Sequence, residues 1–428
     1  GGSTITALTL DMSDAGAAYF NGAVTVGGSV SANVVILGQN KLDGSSDNFK
    51  IHSDYGGVSG ASTIEFYIDN AEKAVINSSG NIAATTFNGI PFYSDVANNS
   101  MYTHDVSGTD STAQGNTAYG FNALDAVTGG DLNTVVGYLA GSAINSGSNN
   151  VLMGYATGDA LTTGSDNVAI GYAALSVEDT GSKNVAVGKS ALNALNYNGD
   201  GYNVAVGYNA GLAVATGTEN TIVGGLAGDA ITTGVGNTAV GYNALSTEDA
   251  NGKNTAIGRA ALNALNAGAD AYNVAVGYNA GVDMSTGFQN TIIGSLAGDA
   301  LTTGSYNVAV GYQALSSEDA NGTAVAVGYR ALAILNAGAE SYNVAVGYDA
   351  GVLVTTGIKN VILGASAGDA LTSGSYNTAL GHGALSSEDA HGRNVAIGSS
   401  ALTTLNAGQD AYNVAIGYNA GAAVTTGI

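Results

Sequence analysis

From Asn116 onward an Asn-x-x-x-Gly core recurs eighteen times. A chain with this internal period builds an array, because each unit buries itself against the copies before and after it. The steps between cores run 17, 17, 17, 17, 19, then 17, 17, 17, 19 to the end. The leading residue is Asn116, Asn133, Asn150, Asn167, Asn184, Asn203, Asn220, Asn237, Asn254, Asn273, Asn290, Asn307, Asn343, Asn360, Asn377, Asn394 and Asn413, with Ala324 the one departure. The closing Gly is present in every core, from Gly120 to Gly417.

Alternation assigns the faces of each rung. The residues one and three after the Asn share one face, and the residue between them, usually Ala, turns to the other. A second β-run is expected through the Ala seven residues after the Asn (Ala123, Ala140, Ala174, Ala191, Ala210), where Thr157 is the exception. Thr216-Gly217, Thr233-Gly234 and Asn251-Gly252 read as the corner, with Gly supplying positive φ. The residue after the Ala runs Leu175, Leu192, Gly211, Gly228, Leu245, Leu262, Gly281, Gly298, so the larger unit is four rungs and 70 residues. An Asn at the same corner of every rung can bond to the rungs above and below and tolerates a left-handed backbone. The Gly four residues later permits an approach that any Cβ would block. Rungs stacked about 4.8 Å apart give a rod of roughly 85 Å.

Composition agrees with a slender β-structure. There are 65 Gly and one Pro (Pro91), no Trp or Cys, and only 10% charged residues. Much of the 45% hydrophobic content is Ala and Val, which pack in thin layers. The net charge of -23 repels phosphate backbones and anionic lipid, so nucleic acid is not an expected partner, and no stretch approaches the roughly 20 apolar residues of a membrane span, so membrane insertion is not expected either. Without cysteine no disulfide or thiolate metal site forms, and the redox compartment stays open.

Residues 1–115 form a different, β-rich segment ahead of the 116–428 array. Ala7-Leu8-Thr9-Leu10, Ala23-Val24-Thr25-Val26 and Thr63-Ile64-Glu65-Phe66-Tyr67-Ile68 read as strands, and Lys73 to Gly89 as a hairpin turning at Ser79-Gly80-Asn81. The charged and aromatic residues of this segment are expected on exposed or interchain faces. The start GGSTITALTL has no initiator Met, and TTGI at Thr425 to Ile428 repeats Thr355 to Ile358, which continues into Lys359 and Asn360. An internal fragment of a longer array is expected.

The array resembles the head repeats of trimeric autotransporter adhesins, through cores such as NVAIG at Asn167 and NTAIG at Asn254. It is still more similar to the GYNAL-type repeats of bacteriophage tail fibres, carried by NTAVGYNALS at Asn237 and NVAVGYQALS at Asn307. KAVINSSGNIAATTF is similar to a segment common in those fibres. The rungs of 17 or 19 residues are longer than the adhesin repeat. The resemblance implies a homotrimer, with receptor-binding or chaperone segments beyond Ile428.

Candidate chemistry is sparse. The pairs Glu178-Asp179, Glu248-Asp249, Glu318-Asp319 and Glu388-Asp389 point apart on an extended chain, and read as solvated acidic loops that oppose lateral sticking rather than as an acid-base or calcium site. His52, His104, His382 and His391 show no metal-ligand spacing, and no Ser or Thr has a nucleophile-elbow context. Gly224-Gly225-Leu226-Ala227-Gly228 lacks the Lys of a phosphate loop. Tyrosines follow the core Gly at Tyr138, Tyr155, Tyr172, Tyr208, Tyr242, Tyr278, Tyr312, Tyr329, Tyr348 and Tyr418, and precede the Asn at Tyr202, Tyr272, Tyr342 and Tyr412. They read as a stripe covering the roll or filling a trimer interface, with glycan stacking the alternative. An ice-binding face would need Thr arrays, whereas the position after the Asn mixes Thr and Val.

The expectation is an all-β, fibrous parallel β-roll or β-solenoid, homotrimeric because a lone rung cannot bury both faces, with no enzymatic activity and no cofactor. The expected role is the shaft of a phage tail fibre or virion appendage that positions a receptor-binding tip. A cell-surface or secreted adhesin filament is the alternative. A host receptor or glycan would be met by regions outside this chain.

Overall fold

The structure, a computed structural model, describes strand segments between residues 64 and 103, and residues 112–428 except 249, 319, 321 and 428. It is all-β, with no helix among the described residues. β1 (Ile64–Ile68), β2 (Ala71–Ile76) and β3 (Ile82–Ala84) form an antiparallel sheet in which Ile76 pairs with Ile82, as the hairpin reading requires. The turn at 77–81 and the strands expected at 7–10 and 23–26 lie outside the described residues. β4 (Thr86–Phe87) pairs with β5 (Ile90–Pro91).

A second sheet carries the array. β6 (Tyr93–Asp95) lies antiparallel to β7 (Ser100–Tyr102), and β7 begins a parallel ladder with β8 (Thr117–Tyr119) that runs, one strand per rung, to β25 (Val414–Ile416). The last strand pairs only with its predecessor, so the ladder is open and extends lengthwise. The register is invariant. Val204 lies beside Thr221, Ala205 beside Ile222 and Val206 beside Val223, and every rung repeats this.

Each rung strand is three residues long with its middle residue buried, as alternation predicts. The expected second β-run does not form. The segment through Ala123 is a chain of turns in which Asn122 (φ 54°) and Leu124 (φ 59°) are both left-handed, and every rung keeps this pair of reversals. The reversals fold the segment back over the strand, so the chain closes its own core. Ala210, Val214, Ile222, Leu245 and Leu265 are fully buried without any second chain. The expectation that a rung cannot bury its faces without a second chain is therefore corrected: among the described residues the core is closed within the chain, and the outer sheet face is the main apolar surface left without cover, beside scattered turn residues such as Val177 and Leu353.

The four-rung rhythm is a volume exchange. An added Cβ on Gly211 would stand 3.0 Å from Ile222 Cδ1, and one on Gly228 3.3 Å from the same atom. Each large inward residue (Leu152, Ile222, Ile292, Ile362) sits between two Gly turns, its own and that of the rung before (Gly211 and Gly228 around Ile222), whereas every rung with Leu at the turn has Ala inward. The two alternatives fill one cross-section at constant density.

The array's N-terminal end is covered. Tyr102 is fully buried against the first rung, and Ser100 Oγ accepts the Asn116 N–H at 3.0 Å, standing where a preceding rung would place Asn. Such an end unit shields the otherwise open core.

Candidate functional face

The Asn column is a ladder. Asn116 Oδ1 accepts the backbone N–H of Asn133 at 2.8 Å, and Asn116 Nδ2 donates to the Gly130 carbonyl at 2.8 Å. The pattern continues through Asn150, Asn167, Asn203, Asn220, Asn237, Asn290, Asn360 and Asn377. Every ladder Asn is buried except Asn413 on the last rung, which is half-buried. Before each 19-residue step the geometry changes. Asn184, Asn254 and Asn394 turn Nδ2 to the carbonyl two residues back (Ser182, Gly252, Gly392), because the longer corner displaces the usual acceptor. Ala324 occupies this same class of rung: its N–H donates to Asn307 Oδ1 at 3.0 Å, and its methyl side chain offers no acceptor to the next rung.

Two backbone expectations move. The left-handed residue is the one before the Asn, as at Tyr202 (φ 49°) and Glu219 (φ 60°), and the Asn residues are not left-handed. Gly217, Gly234 and Gly252 are not left-handed either. Gly217 and Gly234 are there for closeness: a Cβ on Gly217 would meet the Gly234 carbonyl oxygen at 2.4 Å. The core Gly does both jobs. Its φ lies between 130° and 145° in all rungs, and a Cβ on Gly224 would lie 2.5 Å from the Gly241 oxygen.

The Glu-Asp pairs are corrected as well. Glu178, Glu248, Glu318 and Glu388 are buried, in register with a column that elsewhere holds Leu195, Val214, Ile231 and Met284. Glu178 Oε1 accepts the Gly181 N–H at 2.7 Å, and Oε2 accepts the N–H of Tyr197, in the next rung, at 3.3 Å. Glu318 and Glu388 accept the equivalent N–H of Ala337 and Ala407. The carboxylate thus caps backbone groups exposed by the two-residue insertion of the 19-residue rung, which a solvated loop would leave to water. Burial raises the pKa of Glu178 and Glu388 against the opposing effect of these hydrogen bonds. The signal was present in the sequence, since Glu stands where the other rungs place an aliphatic residue.

One grouping escaped the sequence reading. Glu388, Asp389 and His391 bring three ligand-type atoms within 4.8 Å of one another. Both Glu388 oxygens, however, accept backbone N–H groups, from His391 at 3.2 Å and Ala407 at 3.3 Å, and the other three blocks have no His there. The cluster is the same corner cap.

The outer sheet face is the one surface built uniformly along the rod. Its centre is two columns, Thr or Val after the Asn and an apolar residue two further on, from Val136 through Val206, Ile257 and Val346 to Ile416. Tyrosine-rich columns border it. After the Gly, Tyr138, Tyr155 and Tyr172 stack at 5.6 and 5.0 Å between ring centres, and Tyr312, Tyr329 and Tyr348 at 5.4 and 5.0 Å. Lys189 lies 5.7 Å from both the Tyr172 and Tyr208 rings, and Arg259 bridges Tyr242 and Tyr278. Tyr208, Tyr278, Tyr348 and Tyr418 are exposed within this chain, and Tyr418 terminates the column. On the other border Lys183 and Lys253 sit over Tyr202 and Tyr272, and pair with Asp200 and Asp270. Hydrogen bonding to Lys183 holds Asp200 below the usual carboxylate range.

Charge is segregated with the same regularity. The array has seven Lys or Arg residues; Lys183, Lys189, Lys253, Arg259, Lys359 and Arg393 lie in these four columns, and Arg330 adjoins Tyr329. Only two acidic residues, Asp166 and Glu219, share the columns. A chain of net charge -23 therefore presents one apolar, aromatic and weakly cationic face. Because neighbouring rings stack along the rod with interplanar angles as low as 5°, they present edges outward, which disfavours a flat sugar platform. No family model, curated protein or solved structure matches the chain.

Proposed function

We propose that this chain is the shaft of a homotrimeric fibre, a phage tail fibre or related virion appendage that holds a receptor-binding tip away from the particle. The observation that supports this most is the open, invariant parallel ladder of eighteen rungs, which yields length and stiffness. The rod is roughly 85 Å long at about 4.8 Å per rung. The uncovered aliphatic strip supports the trimeric reading. At about 10 Å wide it offers roughly 850 Å² per chain, more than soluble monomers usually leave exposed and comparable to one side of a standard interface.

The GYNAL-type wording of the repeats favours the viral reading over a cell-surface or secreted adhesin filament, which the same repeats would also build. Electron cryo-microscopy of the source particle tests it. Threefold rods on a capsid-tail complex are expected; rods rooted in a cell envelope would replace it with the adhesin reading. Sedimentation tests the trimer separately, and a monomer at micromolar concentration would overturn it. Receptor or glycan binding by segments outside this chain belongs to the same proposal.

A further inference from the structure

The tyrosine column after the core Gly is interrupted by a small residue at a fixed interval; Ser399 breaks it once more, between His382 and Tyr418, but neither of those rings has a bracing ring or cation contact among the described residues. Gly225, Ser295 and Ala365 are 70 residues apart, and each stands between two larger ring-bearing neighbours: Tyr208 and Tyr242, Tyr278 and Tyr312, Tyr348 and His382. In the first block the equivalent position is Tyr155, whose ring lies 5.6 Å from Tyr138 and 5.0 Å from Tyr172. The chain thus shows what fits between two such walls when the small residue is replaced: one planar aromatic ring.

The walls are held from behind. Tyr278 is braced by Arg259, 5.4 Å from its ring, with Nη1 donating to the Tyr278 hydroxyl at 3.3 Å. Tyr312 is braced by Tyr329 at 5.4 Å, and Tyr348 by Tyr329 at 5.0 Å. Their opposite faces look across Ser295 and Ala365, and no ring contact joins Tyr278 to Tyr312 among the described residues. At Gly225 a Cβ would stand 3.7 Å from Tyr242 Cδ2, so that exposed ring leans over the gap and closes part of it. Two rung spacings leave roughly 9.6 Å between walls, the separation that takes one ring stacked on both sides.

We infer that Gly225, Ser295 and Ala365 floor three repeated slots that each take a planar aromatic ring carrying an anionic group, sandwiched between the flanking side chains. The anionic preference follows from Lys189 and Arg259, which lie against the Tyr208, Tyr242 and Tyr278 walls, whereas Arg330 beside Tyr329 is paired with Asp349. Stacking gives affinity without demanding a particular substituent pattern, and the cations add a salt-dependent attraction. The slots lie on the margin of the sheet, outside the aliphatic strip, and stay open in an assembly that covers that strip alone.

Anilinonaphthalene sulfonate is the probe, titrated against the intact chain by fluorescence and calorimetry. Saturable binding is expected at three sites per chain, the number of slots. The triple substitution G225Y, S295Y and A365Y should weaken binding by roughly tenfold or more while leaving the circular dichroism unchanged. Tyr155→Ser opens a fourth slot and should raise the stoichiometry by one. Binding that ignores both variants, or the lack of saturable binding to the native chain, would overturn the inference. A trimer that binds no probe would do so while leaving the fibre reading intact.

Discussion

Asn203 Oδ1 accepts the backbone N–H of Asn220 at 3.1 Å, while Asn203 Nδ2 donates to the Gly217 carbonyl at 2.9 Å. One buried side chain therefore satisfies backbone groups in two rungs, and its loss strands both. Asn203→Ala should destabilise the array by about 2–4 kcal/mol in denaturant unfolding, the cost of leaving buried polar groups without partners. The converse experiment is at Ala324. Ala324→Asn rejoins the ladder to Asn343 and should stabilise by about 1 kcal/mol; no gain would show that the ladder adds little beyond the backbone sheet.

Gly224 combines a φ of 137° with a neighbouring carbonyl oxygen 2.5 Å from its absent Cβ. Gly224→Ala should cost upwards of about 3 kcal/mol, because the rung cannot move away without breaking the register on both sides. Gly225→Ala, one residue on, meets its nearest side chain at 3.7 Å and should be close to neutral. Thermal unfolding of the two variants side by side is the check, and equal losses would contradict the close-approach account.

Burial raises the carboxyl pKa of Asp159, Asp229, Asp299, Asp369, Glu178 and Glu388 above the ordinary carboxylate range. A carboxyl whose folded pKa is raised binds its proton more tightly when folded. Its contribution is fully present below the unfolded pKa and declines as pH rises through the folded one. Asp200, Asp270 and Asp410 are lowered by hydrogen bonds to Lys183, Lys253 and Arg393 and act in the opposite sense, but these pairs are exposed and screened. The melting temperature should therefore be higher near pH about 4, around the unfolded carboxyl pKa values, than near pH about 7. A profile that falls on mild acidification would refute this balance.

Glu178→Leu restores the aliphatic column but leaves the Gly181 and Tyr197 N–H groups without their acceptor. The net loss should be about 1–3 kcal/mol, with Glu178→Gln milder because it keeps one acceptor. If the leucine variant proved more stable, packing in that column would outweigh the capping of the insertion.

Val206, Ile293 and Val346 are exposed on the aliphatic strip. Changing all three to Lys should leave the far-ultraviolet circular dichroism intact and shift the sedimentation coefficient from trimer to monomer. Loss of the fold instead would mean that the strip supports each chain internally.

The sequence alone determined the rung length, the inward-facing middle residue of each strand, the buried Asn ladder and the need for Gly four residues later. These follow from period and alternation, which are local properties of the chain. It also carried the four-rung rhythm, although the exchange of volume between Gly211 and Ile222 needed the fold to be seen. Only the tertiary structure decided that the segment through Ala123 is a run of left-handed turns, that Tyr202 rather than Asn203 bears the positive φ, and that Glu178 is buried. The reason is that each of these depends on the rung 17 or 19 residues away. Glu178 is acidic and looks solvated until Tyr197 presents an N–H to it, and a ring such as Tyr155 acquires its setting only when Tyr138 and Tyr172 close on it from the neighbouring rungs.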